Sequence, residues 1–425
     1  MASTWDANTL GIDFGTSNSA AGVAVAGKPY LIPCEPGETT LPTAVFFGAG
    51  RSEMVIGSVA NRALINGDEG RYMRALKSVL GTSLMGEKRT FLGKKMDFFD
   101  IIGHFLSTVK TRAETACHHT FDYALSGRPV RFHSRDADRN AKAQSDLVEC
   151  YLRAGFKDVR FMFEPEAAAL ATQSIGHDGL SLIVDIGGGT SDFSVFRSDG
   201  DTVDVLASHG VRVGGTDFDK RLSVDHVMPL LGRGALIRKE MGSGTMTLPN
   251  SMFQKLATWE QIPFMYGQDV KRDVTRMQRL AIDPPVLARL SYLLEMELGH
   301  DVAFAVETGK IKANSGDAAD ARIDLSILEK GVFAPLSRDQ LADSLAEHVA
   351  EVVAAAHATF DQAGCSPDQI SRIIFVGGSS LLRPIQTAMQ GACVNAELAY
   401  ADAFTAVIDG LALASADPMK YGAAP

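Results

Sequence analysis

The sequence lacks most of the features that mark secreted, membrane-spanning or nucleic-acid-binding chains. Its five cysteines, Cys34, Cys117, Cys150, Cys365 and Cys393, are odd in number, widely spaced and without a C-x-x-C pair. That leaves no disulfide framework to read and suits free thiols in a reducing cytosol. His118 and His119 have no third ligand at a recognisable zinc spacing. Basic charge is not in excess: 41 Lys and Arg face 51 Asp and Glu, for a formal net charge of −10. Nothing electrostatic therefore draws the whole chain to DNA, RNA or an anionic membrane. No apolar run approaches the ~18 residues of a membrane span, and MASTWDANTL has neither the charged nor the apolar region of a signal peptide. There is no low-complexity linker, no G-x-x-x-x-G-K-[ST] loop, and no G-x-G-x-x-G after the first strand.

What is present is a device used twice. LGIDFGTSNSAAGVAV, from Leu10, reads as a strand, an acid (Asp13), a turn of small polar residues and a second strand. LIVDIGGGTSDFSVFR, from Leu182, repeats it with Asp185 in place of Asp13. Turns of this kind offer several backbone N–H groups and hydroxyls in a concave array, a nest for phosphate oxygens. An acid beside such a nest repels phosphate unless a divalent cation lies between them. Mg²⁺ keeps much of its water, so Asp13 and Asp185 suit a hydrated ion. Two glycine pairs, Gly214-Gly215 in VGGTDFDKRL and Gly377-Gly378 in VGGSSLLRPIQ, stand before helices, where phosphate or ribose is received.

With 425 residues the chain exceeds a typical single core and is long enough for two lobes. Strand patterns at 9–14, 20–26 and 44–47 give way to a helical pattern from Met54 to Leu80. SRDADRNAKAQSDLVECYLRAGF predicts a helix with Ala141, Leu147, Val148, Tyr151 and Leu152 on one face. VRFMF predicts a buried strand running into the helix EPEAAALATQ. LSRDQLADSLAEHVAEVVAAAHATF predicts a helix capped by Ser337 and Gln340 and stopped at Gly364. Residues 228–300 are rich in Met, Gly and Pro and weakly periodic; Met252, Met265, Met277 and Trp259 are expected to pack. Strands alternating with helices indicate an α/β class.

GIDFGTSNS, FEPEAAAL, VDIGGGTSDFSV, GGTDFDKRL and FVGGSSLLRPIQ follow one another in the order and approximate spacing of a known family. The chain, from about 9 to 412, resembles the ATPase domain of the seventy-kilodalton heat-shock protein (DnaK) family, within the actin-like ATPase superfamily. It is most similar to the short YegD-like members. The resemblance implies duplicated ribonuclease H-like domains around a nucleotide cleft. Lobe I spans 1–178, with a subdomain inserted at about 38–115. Lobe II spans 179–400, with an insertion at about 228–312, and 401–425 returns to lobe I.

The resemblance also implies ATP or ADP with Mg²⁺ as ligands and a set of site residues. Gly15, Thr16, Ser17 and Asn18 would meet the phosphates from the first turn, and Gly187, Gly188, Gly189 and Thr190 from the second. Gly214, Gly215, Gly377, Gly378 and Ser379 would complete the nucleotide site. Lys77 in RALKSVLG would reach the γ-phosphate, Glu164 would orient water and metal, and Asp192 would position the attacking water. Glu307, Lys310 and Asn314 in VETGKIKAN would face base or ribose. Asn314 stands where the family has serine, and Leu381 replaces an arginine that stacks on adenine. Pro129 and Arg139 resemble a relay that senses nucleotide state. A solvated helix is the alternative reading for Lys77, and an exposed charged helix for Glu307 and Lys310.

The chain ends shortly after TAVIDGLALASADP, so no peptide-binding domain is expected within it. The expected function is a slow Mg-ATPase whose lobes open and close as a switch, with a co-chaperone or client protein as partner. A small-molecule kinase or phosphatase of the same superfamily, and a non-hydrolysing or filament-forming module, remain as alternatives.

Overall fold

The structure is a computed structural model and describes residues 8–50, 53–66, 68–132, 136–172, 179–199, 202–315, 321–400 and 405–424. Most of the MASTWDANTL stretch, Ser134 and Arg135 of the helix expected to start there, and Gln173 of EPEAAALATQ lie outside those residues. The chain divides into two units, one of residues 1–215 with 351–425 and the other of residues 216–350.

The first unit contains the same sheet built twice. Strand Thr9–Phe14 pairs antiparallel with Asn18–Val25, which pairs antiparallel with Lys28–Ile32. On its other side Thr9–Phe14 pairs parallel with Tyr123–Arg128, and that strand parallel with Asp158–Phe163. In the second sheet Gly179–Ile186 pairs antiparallel with Ser191–Asp199, which pairs antiparallel with Thr202–Val211. Gly179–Ile186 also pairs parallel with Ile370–Val376, and that strand parallel with Glu397–Tyr400. In each sheet the central strand is buried on both faces and reads as a nearly unbroken apolar run, as expected where parallel neighbours are covered by helices. Each central strand leads into one of the two Gly-rich turns, so the fold places the two turns in equivalent positions.

Helices Glu164–Thr172 and Ala406–Ala414 follow the outer parallel strands and pack on each other. Ala167, Ala168, Ala169, Ile183, Ile374, Ile408 and Leu411 form one buried cluster there. A larger cluster joins Leu10, Ile12 and Phe14 to helix Phe98–Cys117 through Ile101, Ile102, Phe105 and Val109. That helix is opened by a capping box in which the Asp100 N–H donates to Asp97 Oδ1 (3.0 Å) and the Asp97 N–H to Asp100 Oδ2 (3.1 Å). The expected box at Ser337 and Gln340 is present, with the Ser337 N–H donating to Gln340 Oε1 at 2.8 Å.

Two expectations are corrected. Residues 54–80 are not one helical stretch: only Ser58–Ile65 is α-helical, Gly70–Arg74 is a strand paired with Ala44–Gly48, and Leu76–Val79 is a 3₁₀ turn. Pairing with a buried neighbouring strand decides the state of this short segment. In helix Ala137–Arg153 the buried face is Ala143, Leu147, Cys150 and Tyr151, whereas Ala141 is exposed and Leu152 is 43% exposed. The core selects the 143, 147, 150 and 151 stripe, which fits the 3.6-residue period equally well.

The second unit is mainly helical and includes Asn250–Leu256, Gln268–Arg279, Pro284–Glu295 and Gly299–Ser315. Met252 and Met265 are buried, and Trp259 stacks edge-on against His300 and Phe304, with ring centroids 4.8 and 5.2 Å away.

The packing of helices 164–172 and 406–414 depends on Gly410, where an added Cβ would run into the Ala167 carbonyl. Both partners are helical backbone, which gives way poorly. Gly410→Val is expected to destabilise the protein by about 1–3 kcal/mol or more, read as a lower midpoint in urea unfolding. Gly391→Val, where nothing lies within 4 Å of the added Cβ, should shift the midpoint far less.

Candidate active site

The two Gly-rich turns meet. A Cβ placed on Gly188 would collide with the Ser17 hydroxyl and lie 3.4 Å from Thr16 Cβ. The Gly214 pair closes on the same point. The Gly215 N–H donates to the Gly187 carbonyl (2.9 Å), and a Cβ on Gly214 would lie 2.6 Å from the Gly189 nitrogen. A Cβ on Gly215 would lie 2.5 Å from the Ser379 hydroxyl. Gly377 has φ +78°, and a side chain there would press on the Ile186 carbonyl and on Asp185 Oδ1. Turns 15–18, 187–190, 214–215 and 377–379, four separate stretches of sequence, thus converge in one place.

The acids lie behind these turns. Asp185 and Asp192 are direct partners across their hairpin, and both are buried, as is Glu164. Asp13 is half-buried one residue before the end of its strand. Burial pushes Asp13 up to about 7, with the Glu164 charge adding to the effect and Lys77 opposing it. Burial and then Glu164 push Asp192 up to about 7, against hydrogen bonds from the Val130 N–H and Thr190. Asp185 is raised well above its ordinary range by burial and then by Glu164, Asp192 and Asp13.

Lys77 is a buried cation among these acids. It lies 8% exposed in its 3₁₀ turn and forms an ion pair with Glu164. Ala75, with φ +56°, is the left-handed residue that turns the chain just before it. Burial alone would lower the Lys77 ammonium, but Glu164, Asp13 and Asp192 outweigh it and the net shift is upward. The reading of Lys77 as a solvated helix lysine is excluded by this burial.

Glu307, Lys310 and Asn314 lie on helix Gly299–Ser315 of the second unit. There Lys310 is buried and its ammonium is 2.7 Å from Asp219 Oδ1, so it is not an exposed surface lysine. Arg139 stands in the first turn of helix Ala137–Arg153, its N–H donating to the Asp136 cap (2.9 Å). The segment after Pro129 contributes a contact that was not anticipated. The Val130 N–H donates to Asp192 Oδ1 at 2.9 Å. Arg128, just before it, was also missed; nothing in the sequence sets it apart.

Buried carboxylates facing one ammonium form a site short of positive charge. An oxygen-only donor set of this kind fits a hard divalent cation such as Mg²⁺. Among the described residues no three His, Cys, Asp or Glu side chains are grouped so that they could hold a metal ion directly. Glycine turns, hydroxyls, acids and a buried lysine are thus brought together on a duplicated α/β fold. Residues 9–90 and 83–237, together more than half of the chain, match the family model described as Hsp70 protein. The chain belongs to the Hsp70 family, and its mixed α/β architecture is that of the actin and Hsp70 ATPases. Among the described residues no helix is long and apolar enough to cross a membrane.

The raised acids give a pH dependence with a definite sign. Asp13 and Asp192 ordinarily titrate near 3.8 but near 7 in the fold. Their contribution to stability is fully present below about pH 4. Between those values the folded chain holds protons that the unfolded chain has lost, so the contribution falls as pH rises. Metal-free protein is expected to lose thermal stability from pH 5 to pH 8. The Asp13→Asn, Asp192→Asn double variant should show a flatter profile by differential scanning fluorimetry. An unchanged slope in that variant counts against the raised acids.

Proposed function

We propose that this chain is a slow Mg-ATPase that binds ATP and ADP and acts as a nucleotide-dependent switch through lobe opening and closing. The observation that carries the reading is the convergence of two hairpin turns on Asp13, Asp185, Asp192, Glu164 and Lys77. Membership of the Hsp70 family supports the same class of ligand.

In this proposal the turns at 15–18 and 187–190 hold the phosphates through N–H groups and the hydroxyls of Thr16, Ser17 and Thr190. Asp13 and Asp185 would hold a hydrated Mg²⁺, whose chemical contribution would be positive charge against the phosphates. Lys77 places a point charge at the transferred group, where negative charge spreads in the transition state. Asp192, held by Val130 and Thr190, positions the attacking water, with Glu164 orienting both Lys77 and water. Gly214, Gly215, Gly377, Gly378 and Ser379 line the nucleotide, and Glu307, Lys310 and Asn314 face base or ribose. The electrostatics make cation dependence strict, because a triphosphate brought alone to these carboxylates meets repulsion. We further propose a co-chaperone or client protein as partner and a cytoplasmic setting, the latter supported by five free cysteines.

Asp192→Asn and Lys77→Ala are expected to keep nucleotide binding and to lower single-turnover hydrolysis by about tenfold or more. Calorimetry with ATP and ADP, with and without Mg²⁺, should show binding that depends on the cation. Full turnover in Asp192→Asn removes its assigned role. Phosphate transfer only when an acceptor molecule is supplied replaces the ATPase reading with a kinase.

A further inference from the structure

Arg128 ends strand Tyr123–Arg128 and is half-buried, in register with Phe163, the residue before Glu164. Its guanidinium lies over two aromatic rings, with centroids of Phe132 and Phe163 at 5.2 and 5.1 Å. Its donors turn back onto the chain that follows. Nε donates to the Pro129 carbonyl (3.1 Å) and Nη2 to the Val130 carbonyl (3.2 Å), while Nη1 is held by Gln144 Oε1. Such a planar fork satisfies two successive carbonyls at once, which an ammonium cannot do in the same plane. The far end of this turn is tied down as well, the Phe132 N–H donating to Asn140 Oδ1 at 2.7 Å. Between the two anchors stands the Val130 N–H, donating to Asp192. Burial lowers the guanidinium's pKa, and the nearby Glu164 and Asp192 charges work against that shift.

We infer that Arg128 is a positioning residue for hydrolysis: it fixes the 129–132 turn so that the Val130 N–H holds the Asp192 carboxylate in the orientation that places the attacking water. The role rests on the ATPase reading above. It adds a step of support for Asp192 that neither the glycine turns nor the metal-binding acids supply. An acid free to rotate by a fraction of an ångström places water poorly, whereas the phosphate nest is untouched. Loss of Arg128 therefore lowers the rate and not the affinity.

The test compares wild type, Arg128→Met, Asp192→Asn and the double variant by single-turnover hydrolysis of ATP, with ADP affinity measured by calorimetry. Arg128→Met is expected to hydrolyse about ten- to a hundredfold more slowly, with ADP affinity within about twofold. The double variant should be no slower than Asp192→Asn alone, because both changes act on one carboxylate. Where Arg128→Met fails to fold, Gln144→Ala loosens the same guanidinium from outside. It is expected to slow hydrolysis several-fold at unchanged affinity, and an unchanged rate overturns the role. An unaltered rate in Arg128→Met, a loss confined to affinity, or additive losses in the double variant also overturn it. Wild-type protein that binds nucleotide without hydrolysing it overturns the ATPase reading and this role together. Wild-type turnover with an unaffected Arg128→Met overturns the role alone.

Discussion

The constraint on which this molecule rests is the burial of carboxylates around a single lysine. Asp185, Asp192 and Glu164 are buried with Lys77, and Asp13 stands half-buried beside them. Removing such charges from water is costly unless they are paired or neutralised. Lys77 pairs with Glu164, while burial first and the neighbouring acids second push Asp13, Asp185 and Asp192 upward. A fold that keeps such a cluster does so at a cost in stability, and costs of that kind concentrate where chemistry is done.

The repeated sheet explains how the cluster is assembled. Each half supplies a central strand that carries one acid near its end and then turns back through small residues. A single hairpin could present one such turn, but not two turns meeting one another with acids close to both. The contact of Gly188 with Ser17 and Thr16, and of Gly214 with the 187–189 backbone, leaves no room for side chains. Glycine is needed at these positions for close approach rather than for flexibility. The helices behind the sheets, meeting at Gly410 and Ala167, bring the outer parallel strands together on the same logic of small residues at a backbone contact.

Much of the site was legible because its signals are local. Acid, glycine turn and strand occur within about a dozen residues, and the same order recurs. The strand VRFMF followed by helix EPEAAALAT is equally local, since strand and helix periods differ sharply there. Helix Phe98–Cys117, with its buried Ile101, Ile102, Phe105 and Val109 and its Asp97 cap, emerged only from the structure. Strand Lys28–Ile32 was harder to read, being an edge strand with Pro29 and three exposed residues. Residues 54–80 misled because a short mixed segment takes its state from the strand it pairs with.

The sequence by itself determined the class: an α/β chain with duplicated acid-bearing hairpins, and residues of the right chemistry to grip phosphate. It did so because turn chemistry and strand periodicity depend on near neighbours. Only the tertiary structure decided that four glycine turns share one point and that Lys77 is buried against Glu164, 87 positions away. It alone disclosed that Arg128 braces the turn that holds Asp192. Those facts depend on contacts between residues far apart in the chain, where charge, burial and hydrogen-bond geometry are set by which strands become neighbours.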